Sequence, residues 1–210
     1  MEISNLTMLQ KDVLREIGNI GAGNAATSLS KLVNRRIDMQ APVIKMVNYE
    51  EIMGLIGGPE EIITAIVFRI EGEAPGTVYF ILSVNEAENL IQEIIQKPEV
   101  KLSDSPSNTL AISVLEEVGN ILTGAYISAL SDLTQINMYP SVPYFSLDMA
   151  GAILTAGLVE LSQITDCAII IDTKMNPSTL QDEINGSFLF VPDPDAFHEL
   201  FQSLGINEHE

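Results

Sequence analysis

A chain of 210 residues, 46% of them apolar, is long enough to bury a sizeable core and fits one medium domain or two small ones. Ten Lys and Arg stand against 29 Asp and Glu, and the resulting formal charge of -19 would repel a phosphate backbone, which argues against nucleic acid as a partner. A single cysteine, Cys167, leaves no disulfide framework or thiolate metal cluster, and no window reaches the ~18 apolar residues of a membrane-spanning helix. The first seven residues lack the basic and apolar stretches of a signal peptide, so a cytoplasmic protein without membrane insertion is expected. The acidity itself has two readings, a solvated surface or steering toward a basic patch on a protein partner.

Thr7 and Gln10 have capping-box spacing, and Val13, Leu14, Ile17 and Ile20, continuing through Leu29, Leu32 and Val33, recur at helical intervals. They predict one long helix reaching Asn34. An extended run from Ile37 to Val47 contains Pro42 and leads to a short amphipathic piece, Tyr49 to Ile56. Ile62 to Ile70 and Thr77 to Leu82 read as two strands joined by a turn, and a helix from Asn85 to Gln96 follows.

A polar, proline-containing junction then precedes a second unit of the same kind. Ser105 before Pro106 makes an N-cap and N1 pair, and Val114, Leu115, Val118 and Ile121 repeat the apolar set of the first helix. Cys167 to Asp172 and Ser187 to Val191 are the matching strands, connected through Asn176, Pro177 and Ser178, and Asp195 to Leu204 is the closing helix. The halves are 1–97 and 108–210, with 98–107 as linker. Neither half offers enough strands to cover a sheet of its own, so a single α+β domain is expected. It has an antiparallel sheet shared by both halves and a pseudo-twofold axis relating two long equivalent helices.

Polar residues repeat along with the apolar ones. Asp12, Glu16, Asn19, Gly23 and Pro42 recur as Ser113, Glu117, Asn120, Gly124 and Pro143, each 101 residues further on. At about 100° per residue, Asp12, Glu16 and Asn19 fall within an arc of roughly 60°, turned away from the apolar set, and Gly23 continues the row one turn on. A Glu and an Asn on one exposed helix face are ordinarily solvated surface. Two copies at matching positions, each Asn a poor helix former preceded by glycine, point instead to chemistry. Asn carries one acceptor and two donors and can orient a water, whereas Glu can pair with a partner's cation. Such a pair suits hydrolysis in which the partner supplies the electrophile and any Mg²⁺.

The pattern of Asp or Ser, three residues, Glu, two residues, Asn, 22 residues and Pro, present twice, resembles the phosphatase signature of the CheC family over essentially the whole chain. The resemblance implies dephosphorylation of the chemotaxis response regulator CheY in bacterial two-component signalling. Glu16 and Glu117 would pair with the regulator's active-site lysine, and Asn19 and Asn120 would orient water for in-line attack on the aspartyl phosphate. Asp12 and Ser113 would support the sites, Pro42 and Pro143 would shape the neighbouring strand, and Gly23 and Gly124 would give the partner room. Two sites, and an end soon after the closing helix, make the chain more like the two-site members than the single-site CheX type or the flagellar-switch type.

The resemblance also implies binding of the receptor deamidase CheD, through a helix spanning Phe145 to Leu154 with Asp148 as its key acid. An Asp opening a helix is equally explained as a charge favourable near a helix N-terminus. No cofactor or metal is expected on this chain, Mg²⁺ is expected on the regulator, and the free chain is expected to be a monomer. The alternative function is an adaptor that sequesters the regulator or the deamidase with little catalysis. Gly21, Gly23 and Ala26 match a dinucleotide fingerprint but continue a helical pattern, which argues against nucleotide binding. His198 and His209 have no partner at metal spacing, and Phe188, Phe190, Phe197 and Phe201 read as packing residues.

Overall fold

In a computed structural model, residues 8–97, 100–102, 109–161, 168–177 and 183–204 are described. The expectations placed on Thr7, Ser105, Pro106, Cys167, Ser178 and His209, and on the side chains of Gln10, Phe197, His198 and Phe201, lie outside them. The first repeat comprises α1 (Met8–Val33), β1 (Ile37–Met39), β2 (Val43–Val47), α2 (Tyr49–Leu55), β3 (Ile62–Gly72), β4 (Gly76–Ser83) and α3 (Val84–Ile95). The second runs α4 (Thr109–Thr134), β5 (Met138–Pro140), β6 (Tyr144–Met149), α5 (Ala150–Leu161), β7 (Ala168–Pro177), β8 (Ile184–Pro192) and α6 (Pro194–Ser203). The long helices end alike: Asn34 and Gln135, 101 positions apart, both adopt left-handed backbone, at φ 51° and 59°.

Among the described residues the eight strands form one sheet in the order β1-β7-β8-β4-β3-β5, with β2 also on β7 and β6 also on β3. The halves therefore exchange strands, each lending its first two to the other's third. Every pairing is antiparallel. At the centre Tyr79 of β4 pairs with Leu189 of β8, its own counterpart 110 residues on, so the pseudo-twofold axis passes through that pair.

Side chains alternate across the sheet as strand geometry requires. Val78, Phe80, Leu82, Phe188 and Phe190 face a core covered by α1, α3, α4 and α6. Tyr79, Ile81, Leu189 and Val191 face a second core closed by Ile52 and Met53 of α2 and by Ala150 and Leu154 of α5. A closed capping box starts α2: Asn48 Oδ1 accepts from Glu51 N–H while Asn48 N–H donates to the Glu51 carboxylate, both at 2.9 Å.

Three boundaries depart from the sequence expectation. Strand β7 runs on through Asn176 and Pro177, because β1 pairs there, Ile37 opposite Pro177. Strand β8 begins at Ile184, opposite Met175, three residues before Ser187. The segment Phe145 to Met149 is strand, paired with β3 from Ile66 to Ile62, and α5 starts only at Ala150. On α1, Ile20 and Leu32 belong to the exposed surface although their periodicity assigns them to the buried stripe. That stripe is carried by Leu14, Ile17, Ala22, Ala25 and Leu29.

Candidate active site

Helix α1 holds Asp12, Glu16, Asn19 and Gly23 in one exposed row, and α4 holds Ser113, Glu117 and Asn120 exposed with Gly124 half-buried. Glu16, Asn19, Glu117 and Asn120 make no side-chain hydrogen bond or ion pair with any described residue. Without a partner among the described residues, the two carboxylates and two amides are exposed to a second protein. Asp12 is engaged, accepting from Arg15 Nη2 at 2.7 Å, whereas the matching positions in the second copy are Ser113 and Glu116.

Behind each row the sheet approaches the helix backbone closely. A Cβ on Gly18 would lie 2.8 Å from both Pro42 Cγ and Ile44 Cδ1, so buried Pro42 presses directly on α1 beside Asn19. The counterpart Gly119 would meet Ile66 Cγ2 at 2.9 Å, and Pro143 is only half-buried. The two prolines both stand one residue before a strand, β2 or β6, but only Pro42 is seen packing on its helix. Gly18 and Gly119 are thus explained by packing. Gly23 and Gly124 are not: a Cβ there would meet nothing within 4 Å. Sequence reasoning missed this division of labour among the glycines, although the 101-residue offset relates Gly18 to Gly119 as it relates Gly23 to Gly124.

The rows are held relative to each other where α1 and α4 cross. Gly21 of α1 lies under the ring of Tyr126, with which a Cβ would clash, and Tyr126 in turn packs on Phe188 with ring centroids 5.0 Å apart. Burial pushes the Tyr126 phenol above its ordinary value, and the nearby Thr173 hydroxyl offsets part of that rise. Because Gly21 to Ala26 lies inside a continuous helix and Gly21 is filled by Tyr126, the dinucleotide fingerprint is a packing motif. Among the described residues no group of His, Cys, Asp and Glu is placed to hold a metal ion.

Asp148 does not lie on a helix. It sits on β6, opposite Ile63, and its Oδ1 accepts from Met149 N–H at 2.7 Å. The side chains of Tyr144, Leu147, Asp148 and Met149 are exposed there, and among the described residues β6 pairs with β3 alone.

The two rows stand on different electrostatic ground. Helix α1 carries Lys11, Arg15 and Lys31 against Asp12 and Glu16, and Arg35 and Arg36 follow it. The matching positions of the second copy hold Ile112, Glu116, Asp132, Ile136 and Asn137, so α4 carries three acids and no base.

The sequence matches the profile of the CheC-like family over residues 9–46 and 110–147, two segments offset by 101 at both ends. The CheY-P phosphatase CheC of Bacillus subtilis (strain 168) is 42% identical over 198 residues, covering 94% of this chain and 95% of that protein. The X-ray structure of Thermotoga maritima FliY is similar at a TM-score of 0.66 and 18% identity, covering 95% of this chain and 98% of that one. A chain of the FliM-SpeE complex from H. pylori is similar at a TM-score of 0.68 and 13% identity, covering 96% and 97%. These structures share the fold.

Proposed function

The chain belongs to the CheC-like family, and on that premise we propose that it hydrolyses the aspartyl phosphate of a CheY-type chemotaxis response regulator. The observation that carries the reading is the pair of exposed, unpaired Glu and Asn side chains repeated on α1 and α4. The amide oxygen of Asn19 or Asn120 accepts a hydrogen bond from a water and turns a lone pair of that water toward phosphorus. Glu16 or Glu117 docks on the regulator's active-site lysine and fixes the distance of attack. The new P–O bond forms from water as the bond to the aspartyl oxygen breaks, and the aspartate leaves as carboxylate. Mg²⁺ bound by the regulator would supply charge neutralisation at the phosphoryl group. Asp12, Ser113, Pro42 and Pro143 act in support, most directly Pro42 through its contact behind Asn19.

The same reading places the free chain in the cytoplasm as a monomer, with a CheD-type receptor deamidase as second partner at the exposed end of β6 around Asp148. An adaptor that only sequesters its partners would use the same surfaces, and rate separates the two. Replacing both Asn19 and Asn120 with Ala should lower the rate of regulator dephosphorylation about 10²-fold, the size of losing one positioned catalytic hydrogen-bonding group, while regulator binding persists. Each single variant should keep part of the activity. A double variant that still accelerates phosphate loss fully would remove the water-orienting role.

A further inference from the structure

Exposed leucines and isoleucines are common and individually uninformative. Here they occupy matched places. Leu9 is 73% exposed and its counterpart Leu110 56%, Ile20 is 37% exposed, and its counterpart Ile121 is half-buried. Leu9 lies seven residues before Glu16 and Ile20 four after it, and Leu110 and Ile121 stand in the same relation to Glu117. At about 100° and 1.5 Å per residue, Leu9, Glu16 and Ile20 share an arc of roughly 40° over about 16 Å of helix. Each glutamate is therefore flanked by apolar side chains about 20° and 40° to one side of it, while the open glycine and the Asn lie about 20° and 60° to the other.

We propose that Leu9 and Ile20, and Leu110 with the solvent-facing part of Ile121, which otherwise packs against the core, are apolar anchors that seat the phosphorylated response regulator over each Glu and Asn pair, a docking role that rests on the function proposed above. Three observations support that occupant. Among the described residues Leu9 and Leu110 take no part in either core, so packing there gives no reason for leucine at both. Around them the charges have been exchanged, Lys11 for Ile112 and Arg15 for Glu116, while leucine and isoleucine are unchanged. Finally, an overall charge of -19 offers a phosphoryl group no long-range attraction, and α4 has no base at all. Apart from the pairing of glutamate with a partner cation, close-range burial of apolar surface is what remains to hold such a partner at both sites.

The test is Leu9→Gln with Leu110→Gln, both exposed positions whose replacement leaves the core intact, checked by thermal unfolding. Phospho-regulator decay measured across regulator concentrations should show KM raised about tenfold, with kcat changed less than about twofold. Leu9→Met with Leu110→Met should restore KM. In the Asn19→Ala, Asn120→Ala background, direct binding of the phosphorylated regulator should weaken by the same factor. An unchanged KM and unchanged binding would overturn the inference and leave the catalytic reading standing. Loss of binding in a chain that proves unable to hydrolyse would do the opposite. A chain that neither binds nor hydrolyses would overturn both.

Discussion

Gly23 and Gly124 offer a perturbation whose two consequences have opposite signs. In a helix interior, alanine is favoured over glycine by about 1 kcal/mol, and here the added methyl would meet nothing within 4 Å. Gly23→Ala with Gly124→Ala should therefore stabilise the chain by about 2 kcal/mol. At roughly 2–4 °C per kcal/mol for a protein of this size, Tm should rise by about 4–8 °C. Activity should fall all the same, because on the proposed mechanism a methyl on this face would hold the phosphoryl group away from the water set by Asn19 or Asn120. Displacement on the order of 1 Å can cost about 10²-fold in rate. Thermal unfolding and phospho-regulator decay on the same preparation read both effects. Gly119→Ala is the control, since its methyl would lie 2.9 Å from Ile66 Cγ2 and should destabilise by about 1–3 kcal/mol through overpacking. A higher Tm with undiminished activity would refute the docking role of the two glycines. A lower Tm would refute the openness of that face.

The charge difference between α1 and α4 should appear in salt dependence. With Asn120→Ala leaving only the first site, kcat/KM should fall about threefold or more between low salt and physiological ionic strength, whereas Asn19→Ala, leaving only the second, should give a flat or rising profile; parallel profiles would remove the electrostatic distinction. At the exposed end of β6, Asp148→Ala should weaken association with a CheD-type deamidase by about tenfold while phospho-regulator decay and Tm stay unchanged, as for a truncated interface anchor. Unaltered affinity would sink the assignment of that edge.

The polar rows were legible because helical geometry converts spacing into position with no tertiary information: Asp12, Glu16 and Asn19 had to share a face once α1 formed. The long helices, β3 and β4 followed from periodicity and turn residues in the same way. What stayed hidden depends on partners distant in the chain. Asn176 and Pro177 read as a turn, yet β1 arrives from residues 37–39 to make them strand; Pro177, which has no N–H to donate, takes the last position of β7. Asp148 looked like the start of a helix because the apolar run after it is helical, but backbone pairing with Ile63 draws it into the sheet. Ile20 has the period of the buried stripe, and only the actual line of contact with the sheet leaves it outside.

Strand exchange makes the two sites chemically separate and mechanically joined. β1 and β2, which follow α1, are bonded to β7 of the other half, and β5 and β6, which follow α4, to β3. Pro42 and Ile44 press on Gly18 beside Asn19 from a segment whose hydrogen bonds run to the second repeat. Ile66, which presses on Gly119 beside Asn120, belongs to the first. Each asparagine is thus backed by a strand pair drawn from both halves. On the proposed function, a change confined to an exposed row should silence one site alone, whereas a change in the sheet behind either row should reach both. Divided after α3, neither half would keep the strand pairing that backs its own helix.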